Sequence, residues 1–513
     1  MSDGSHDGRD GAPQPMVEVL TGIPPLAWLV DLSGARRILA GRGVDVRELP
    51  GRLEVSEGCW EGDFATSSIA EARHLFGSGF VVEGDDVLFC AAAHTLEALY
   101  AYRNGGRRIV SNSLAFLVRY AGIELDPEVR IYPKALTIVQ GLKAYDPLIY
   151  RKGGEEIFRF AYCNFRFGAT EIDRADKPLP PRFGDYPAYR DYVSGVLRGM
   201  RDNAAAAGRR RSYRMVTSIS SGYDSSAGAV LAAAAGCDTA VTLRTGKFGT
   251  DDSGLAVAEA LGLRCVERDR RIGGGDDRFP EADFIASFDP GDSVFSAFAD
   301  LLPGTLFLTG HHGDGLWDAD LAPNDSIKRK DSSGMGLHEF RLRTDFVTVP
   351  LVFVGATRHS DIREISRSEE MRPFGIGGSY DRPIPRRLLE EAGVPRELFG
   401  RDKNAVNIEL FHGERQMTAA SRRDMEAFVA RRARPLRRAQ ESMFGMIRYA
   451  ADVGLGRVDS GLSRSVSRRP RLNKLARRVD WHLRRNWGAR GRPYFSYVLI
   501  WALTRVGERY ASA

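Results

Sequence analysis

Apolar and polar residues follow one another along this chain in three successive styles. Between Val17 and about Leu179 the apolar runs are short, as at 80–82, 87–91 and 108–111, and Gly, Asp and Asn turns separate them. That spacing predicts a strand-rich unit, with helices expected at 95–102 and 114–121. After Pro180-Pro181 the period becomes helical. Tyr189, Val193, Val196 and Met200 share one face of a helix over 186–207, and that face belongs to a core. Next, short strands at 215–219, 239–246, 264–268 and 305–310 alternate with helical stretches at 227–235 and 253–261. Such alternation predicts an α/β fold with a doubly wound parallel sheet.

Past Arg415 the pattern turns basic. Arginine pairs such as Arg431-Arg432, Arg468-Arg469 and Arg477-Arg478 accompany Leu472, Leu475, Val479 and Leu483 at roughly helical spacing. Amphipathic helices with an arginine-rich face are expected there. They serve either as the solvated side of the neighbouring domain or as a contact for an acidic partner, an anionic membrane or RNA. The run YFSYVLIWAL at 494–503 is too short to span a bilayer and suits a buried helix or an interfacial anchor. The organisation expected is a disordered tail (1–16), a β-rich domain (17–180), an α/β domain (181–412) and a basic helical region (413–513).

Composition narrows the setting. With 513 residues, 43% hydrophobic and 27% charged, the chain is long enough for several cores, and its net charge of +6 is modest. Five cysteines stand singly, without a CxxC pair, which argues against a disulfide framework or a zinc site. The polar, acidic start MSDGSHDGRDGAPQP has no apolar signal core. A cytoplasmic location is the expectation.

The chemistry concentrates at two turns. Strand 215–219 runs into Ser220-Ser221-Gly222-Tyr223-Asp224-Ser225-Ser226 and then an alanine-rich helix. Strand, small-residue turn and helix cradle a phosphate: backbone N–H groups converge and the helix dipole favours an anion. Ser225 and Ser226 add hydroxyls, and Asp224 is an acid placed to ligate Mg²⁺. An ordinary strand-to-helix connection capped by Ser or Asp has the same composition. Strand 305–310 ends in TGHHGDGLWD, with Gly310, Gly313 and Gly315 permitting close backbone approach and Asp314 at the tip. Ligands of open α/β sheets lie at the carboxyl ends of the strands, which gathers Ser220 to Ser226, Leu243 to Gly246 and Thr309 to Asp314 around one crevice. No G-x-x-x-x-G-K-[ST], G-x-S-x-G or H-E-x-x-H motif occurs.

SISSGYDSS is similar to the SGGxDSS loop of the PP-loop ATP pyrophosphatases, and TGHHGDGLWD resembles the second signature, SGxGxDExF, of their asparagine synthetase branch. EEMRPF, followed by the stretch through Arg401-Asp402-Lys403, resembles that branch's E-x-R-x-PF-x-D and P-x-x-x-x-x-R-x-K segments. The resemblance implies a PP-loop synthetase domain that binds ATP and Mg²⁺, with Thr309 and Gly310 lining the nucleotide pocket and Asp224 and Asp314 holding the metal. It places His311 where asparagine synthetases have a glutamate and β-lactam synthetases a tyrosine, credited with taking the proton of an attacking amine; a histidine suits that work. Glu370 is then the acid that orients His311, Arg372 a contact for a substrate carboxylate, and Lys403 the cation on leaving pyrophosphate. Each also has a plain reading: polar loop histidines, a solvated helix face at 369–372, a surface lysine.

Departures from the family pattern are visible too. Ser221 replaces the first glycine of the loop, Gly315 replaces a second acid, and the segment before Pro373 is one residue shorter. The β-rich domain looks like a worn glutaminase domain of the N-terminal-nucleophile type, whose N-terminal cysteine is the nucleophile. Here Met1 and Ser2 open the chain and the first cysteine is Cys59, so the expectation is a structural or docking role. The function expected is an ATP-dependent ligase. A carboxylate attacks the α-phosphate of ATP, pyrophosphate leaves, and free ammonia, a partner's ammonia or an amine then forms an amide as AMP departs. A PP-loop enzyme adenylating a base in RNA and a degenerate nucleotide-binding scaffold are the competing expectations.

Overall fold

The apolar runs between Val17 and Asp176 pair into two facing sheets. The computed structural model describes residues 16–246, 250–269, 279–287, 291–377, 381–400, 417–432 and 494–513. Strands β1 (Val17–Leu20), β2 (Trp28–Asp31), β3 (Arg37–Gly41), β8 (Leu99–Asn104), β9 (Arg107–Ser111), β10 (Leu148–Lys152) and β11 (Glu155–Phe160) form one sheet in the order β1-β3-β2-β9-β8-β11-β10. Strands β4 (Asp45–Leu49), β5 (Arg52–Ser56), β6 (Gly79–Glu83), β7 (Asp86–Cys90), β12 (Cys163–Phe167) and β13 (Ile172–Asp176) form the other, in the order β13-β12-β7-β6-β5-β4. Alternate residues of both, including Trp28, Val30, Phe80, Phe89, Phe160 and Phe165, fill the space between them. The opposite face of the first sheet carries Tyr100, Tyr102 and Ile109 into a second core, beneath α1 (Leu114–Ala121) and α2 (Ile131–Ala135).

One expected helix is a strand. Leu99 to Tyr102 lies in β8, with Leu99 and Ala101 in the sandwich core and Tyr100 and Tyr102 in the other. The turn chemistry decided this. Asn104-Gly105-Gly106-Arg107 closes a two-residue hairpin with Gly105 at φ 55, and the hairpin register then draws the preceding run into the sheet. Helix α1 falls on 114–121 as its pattern predicts, capped by the Ser113 side chain and ended by Gly122 at φ 67.

After α3 (Tyr186–Ala204) the chain enters an all-parallel sheet of β14 (Arg214–Ser218), β15 (Thr239–Leu243), β16 (Arg264–Arg268), β17 (Thr305–Thr309) and β18 (Phe346–Pro350). Its order is β16-β15-β14-β17-β18. The chain builds outward from β14 to one edge, then returns to lay β17 against the other side of β14, so the order reverses between β14 and β17. Apolar side chains cover both faces. Val216, Phe307 and Phe346 meet Phe340 and Leu337 of α8 (Leu337–Thr344) on one face, while Met215, Leu306, Leu308 and Val347 join the large core on the other. Helix α4 (Tyr223–Ala234) packs on that second face, against α3, the short α7 (Gly313–Leu316) and α10 (Pro383–Glu391); α5 (Leu255–Ala260) lies on β16, and α9 (His359–Ser366) on α3.

The end of the chain is core. Helix α12 (Tyr494–Gly507) packs against α1, α6 (Phe279–Ala286) and α11 (Ala419–Arg432), with Val498, Trp501 and Ala502 fully buried. Tyr510 stacks on Phe116 with ring centroids 4.6 Å apart. The run at 494–503 is therefore the buried helix of the two expectations. No helix among the described residues is long and apolar enough to cross a membrane. The arginine-rich stretch carrying Leu472, Leu475, Val479 and Leu483 lies outside the described residues.

Buried charge ties the sandwich to the α/β part. Arg341, on α8, is fully buried and donates to both Glu57 oxygens at 2.7 and 2.9 Å and to Glu97 at 2.6 Å. Burial alone would lower its pKa, yet the two carboxylates raise it. One guanidinium serves two carboxylates, so Glu97 carries the surplus charge and burial pushes it up to about 7. Arg209, just before β14, pairs with Asp45 of the sandwich at 2.7 Å. Replacing Arg341 with Met strands two buried carboxylates and is expected to cost about 3–5 kcal/mol in urea unfolding. The triple change Glu57→Gln, Glu97→Gln, Arg341→Met should recover most of that loss, and no recovery would refute the pairing account.

His74, His94 and His338 are buried. Burial holds each imidazole below its ordinary pKa, His74 at about 4. The unfolded chain takes up protons near pH ~6.5 that the folded chain refuses, so these groups stabilise above that pH and lose their contribution as pH falls toward the folded values. At a pH of about 5, His74 alone costs about 2 kcal/mol. Glu97, with its raised pKa, works in the opposite sense: its contribution is present at low pH and is lost as pH rises through about 7. His311 and His312, also held low by burial, act in the sense of these histidines and Asp292 in the sense of Glu97, so the imidazoles outweigh the carboxyls. The urea midpoint is expected to be lower at about pH 5 than at about pH 7.5, and an equal or higher midpoint would contradict this.

Candidate functional site

Both small-residue turns sit at the carboxyl ends of neighbouring strands, β14 and β17, where the strand order reverses. The first turn is held by its own side chains. Ser220 Oγ meets Ser225 Oγ at 2.7 Å and accepts from the Gly222 N–H at 3.1 Å, while Ser226 Oγ donates to the Ser220 carbonyl at 2.6 Å. Ser221 lies outside the positive-φ region, so a serine stands in the glycine's place without strain. Its N–H, however, already donates to the Asp252 carbonyl at 3.2 Å and its hydroxyl to Asp252 Oδ1 at 2.9 Å. Helix α4 begins directly after Gly222, and Tyr223 turns inward, buried against Phe399 and hydrogen-bonded by Arg386.

The second turn presses against the first. A Cβ on Gly310 would lie 2.6 Å from the Asp224 carbonyl, and one on Gly313 2.5 Å from the Asp224 carboxyl carbon. Glycine is required at 310 because two backbones touch there. His311 accepts or donates at Nδ1 with Thr309 Oγ1, 2.8 Å away, and its Nε2 is 3.9 Å from Asp292 Oδ1. Asp292 is held by the N–H groups of Gly334 and Gly336 at 3.0 and 2.9 Å, and burial pushes its carboxyl up to about 6. Burial, aided by Arg329, lowers the His311 pKa to about 4, so its imidazole is neutral at physiological pH. His312 adopts φ 77, lies over Phe353 with centroids 5.1 Å apart, and is held at about 3 by burial. The two rings make separate contacts, which fits the absence of a cluster of metal-binding side chains among the described residues.

Carboxylates and cations meet beside the two turns. Lys330 Nζ reaches Asp314 Oδ2 at 3.2 Å, the Asp314 carbonyl at 2.8 Å and Asp318 Oδ2 at 3.7 Å. Arg382, 1% exposed, pairs with Asp318 at 2.9 Å and approaches Asp224 at 3.9 Å. Asp224 and Asp314 thus flank one cationic pair. Sequence reasoning missed Lys330, Arg382, Asp252 and Asp292, because each comes from a separate loop with no motif around it, and it passed over Asp318, the last residue of the TGHHGDGLWD run. The Asp-Arg-Pro run at 381–383 was the nearest signal.

Other expected site residues fall elsewhere. Glu370 does not orient His311: it accepts from the Tyr186 N–H at 3.0 Å and pairs with Arg387 at 2.8 Å, fastening the start of α3 to α10. Asp292 holds the place beside His311 instead. Arg372 pairs with Glu369 at 2.9 Å, with both side chains at least 80% exposed, which is the solvated helix face. Leu243 ends β15 and packs on the Val216–Phe307 side of the sheet. Lys403 lies outside the described residues. In the sandwich, burial pushes the thiols of Cys59 and Cys90 up to about 11 and 12, so neither is a nucleophile at neutral pH.

The chain matches no protein-family model and no curated protein. The site is therefore read from its own geometry, and the glycine contact is its sharpest test. Gly310→Ala should displace the second turn and lower the thermal midpoint, whereas Ser221→Gly should leave the fold nearly as stable. Equal effects of the two changes in a thermal melt would show that the turns do not touch as described.

Proposed function

We propose that this chain is an ATP-dependent carbon–nitrogen ligase of the asparagine synthetase-like kind, with its parallel sheet in the role of a PP-loop domain. One observation carries the reading: a serine-rich turn and a glycine-rich turn pressed backbone to backbone at the carboxyl ends of adjacent strands, where the strand order reverses. That is where open α/β sheets take their ligands. The donor set suits a triphosphate and its metal. Ser220, Ser225 and the start of α4 face an anion, with the Ser221 N–H excluded because Asp252 already occupies it. Asp224 and Asp314 suit Mg²⁺, which typically takes one or two carboxylates together with phosphate oxygens. Bound Mg²⁺ would neutralise phosphate charge and favour departure of pyrophosphate.

The chain's own groups divide the remaining work. Thr309 and Gly310 line the nucleotide side. Lys330 and Arg382 supply positive charge beside the leaving pyrophosphate, a role that Lys403 shares. The Thr309 hydroxyl at Nδ1 holds His311 in one orientation, with Asp292 3.9 Å from Nε2, and the neutral imidazole takes a proton from the attacking amine. The sandwich, with its buried thiols, supports the site rather than hydrolysing glutamine, so the nitrogen comes as free ammonia, an amine, or ammonia from a partner.

Pyrophosphate release from ATP, measured across a panel of carboxylic acids with and without amines, tests the reading. Release is expected to require a carboxylate and to vanish in Asp224→Ala. Lys330→Met should lower the rate of release about 100-fold. His311→Ala should spare pyrophosphate release and slow amide formation. Because His311 is already neutral, the acid limb of amide formation should lie below pH ~6.5, the ordinary histidine value. Release driven by RNA, or by no acid at all, would end the ligase reading.

A further inference from the structure

Behind the second turn stands a buried cation without an ion pair. Arg329 is 6% exposed, and its N–H donates to the Val139 carbonyl of the β-rich part at 2.9 Å. Its Nη2 donates to the Ser333 carbonyl, while Nη1 is buried and makes no hydrogen bond. Among the described residues no carboxylate pairs with it. The two acids that act on it most, Asp331 and Asp292, accept from backbone N–H groups: Asp331 from Ser333 at 2.9 Å, Asp292 from Gly334 and Gly336. Burial lowers the Arg329 pKa to about 10, so the group is charged at neutral pH. By contrast, the buried Arg341, Arg209 and Arg382 all have carboxylate partners. A buried charge without a counter-ion is destabilising unless an anion reaches it.

Its place ties it to the crevice. The residue after Ser333 is Gly334, at φ 84, where a Cβ would lie 3.1 Å from His311 Cγ. The 333–334 peptide thus meets the guanidinium through its carbonyl and approaches the imidazole through its glycine. After burial, the Arg329 charge is the next influence that lowers the pKa of both His311 and His312. The other candidate cations are committed: Lys330 to Asp314 and Asp318, Arg382 to Asp318, and Arg372 to Glu369 in solvent.

We propose that Arg329 holds a carboxylate of the acid substrate and so sets the acyl group beside His311, an assignment that rests on the ligase reading. The carboxylate displaces the Ser333 carbonyl from Nη2 and takes Nη1 as well, a bidentate charged pair in place of one bond to a neutral carbonyl. Two sources have this chemistry, the carboxylate that reacts with ATP and a second one on the same acid. From either source, the anion that neutralises Arg329 relieves His311 of the charge that weakens it as a base. Acid binding thereby prepares the base for the amine.

Calorimetric titration of the full chain with short straight-chain mono- and dicarboxylic acids, repeated with Arg329→Met, tests the assignment. At least one acid is expected to bind, and the substitution to weaken it by about tenfold or more while ATP binding stays the same. Arg329→Lys, which keeps the charge and loses the fork, should retain part of the affinity. Because Arg329→Met removes an unpaired buried charge, its thermal midpoint should not fall, which separates lost binding from unfolding. A loss common to all the acids assigns Arg329 to the reacting carboxylate, and one confined to the diacids assigns it to a second. The proposal is overturned if no acid binds the wild-type chain, or if the Met variant binds the acids equally well. Arg329-dependent binding without pyrophosphate release would instead count against the ligase reading alone.

Discussion

Arg341 is the charge on which the assembly of this protein turns. It belongs to α8, which covers one face of the parallel sheet, but its partners Glu57 and Glu97 belong to the β-rich part. A buried ion cluster of this kind contributes little net stability over an apolar substitute, yet it is severe on any arrangement that leaves one member unpaired. It therefore selects one docking of the sandwich on the sheet. Ser113 to Glu339 at 2.7 Å and Arg209 to Asp45 repeat the device nearby. Polar groups with so few partners within reach specify position more sharply than the aliphatic contacts around them.

That docking reaches the candidate site through one loop. Residues 324–330 carry Lys330 to Asp314, and the loop is pinned to the β-rich part by the Leu142 N–H on the Ser326 carbonyl at 2.7 Å and the Arg329 N–H on the Val139 carbonyl at 2.9 Å. Between these anchors Ile327 is buried at φ 57, a conformation that a β-branched residue adopts only under constraint. Gly141 permits the approach, since a Cβ there would collide with Ser326. A sandwich without a reactive thiol thus retains a clear physical task. It holds the loop whose lysine meets the carboxylates beside the two turns.

The crevice itself shows how far small residues carry a site. Gly310 and Gly313 let the second turn lie on the first, and the serines of the first turn satisfy one another. His311 is a different case, since its environment sets its chemistry. Burial and Arg329 make its imidazole a weak base, while Asp292 stands close enough to steady a proton on it. Compared with the histidine of ordinary pKa that a sequence suggests, this group gives up basicity and remains neutral across the physiological range.

Four of the five strands of the parallel sheet, helices α1, α3, α4 and α5 and the two small-residue turns were legible in the amino-acid sequence, because each rests on local periodicity, caps or turn residues; β18 and the helices around it were not read. Strand β8 was misread as a helix, since a four-residue apolar run has no period of its own and the Asn-Gly-Gly turn after it had to be given more weight. Only the tertiary structure could decide that Asp292 rather than Glu370 stands by His311, or that Lys330 and Arg382 attend Asp224, Asp314 and Asp318. Those partners come from separate loops far apart along the chain, and nothing local to any one of them records which others will be brought to it. Propensity and periodicity are short-range properties; the pairing of buried charges is settled when the layers close.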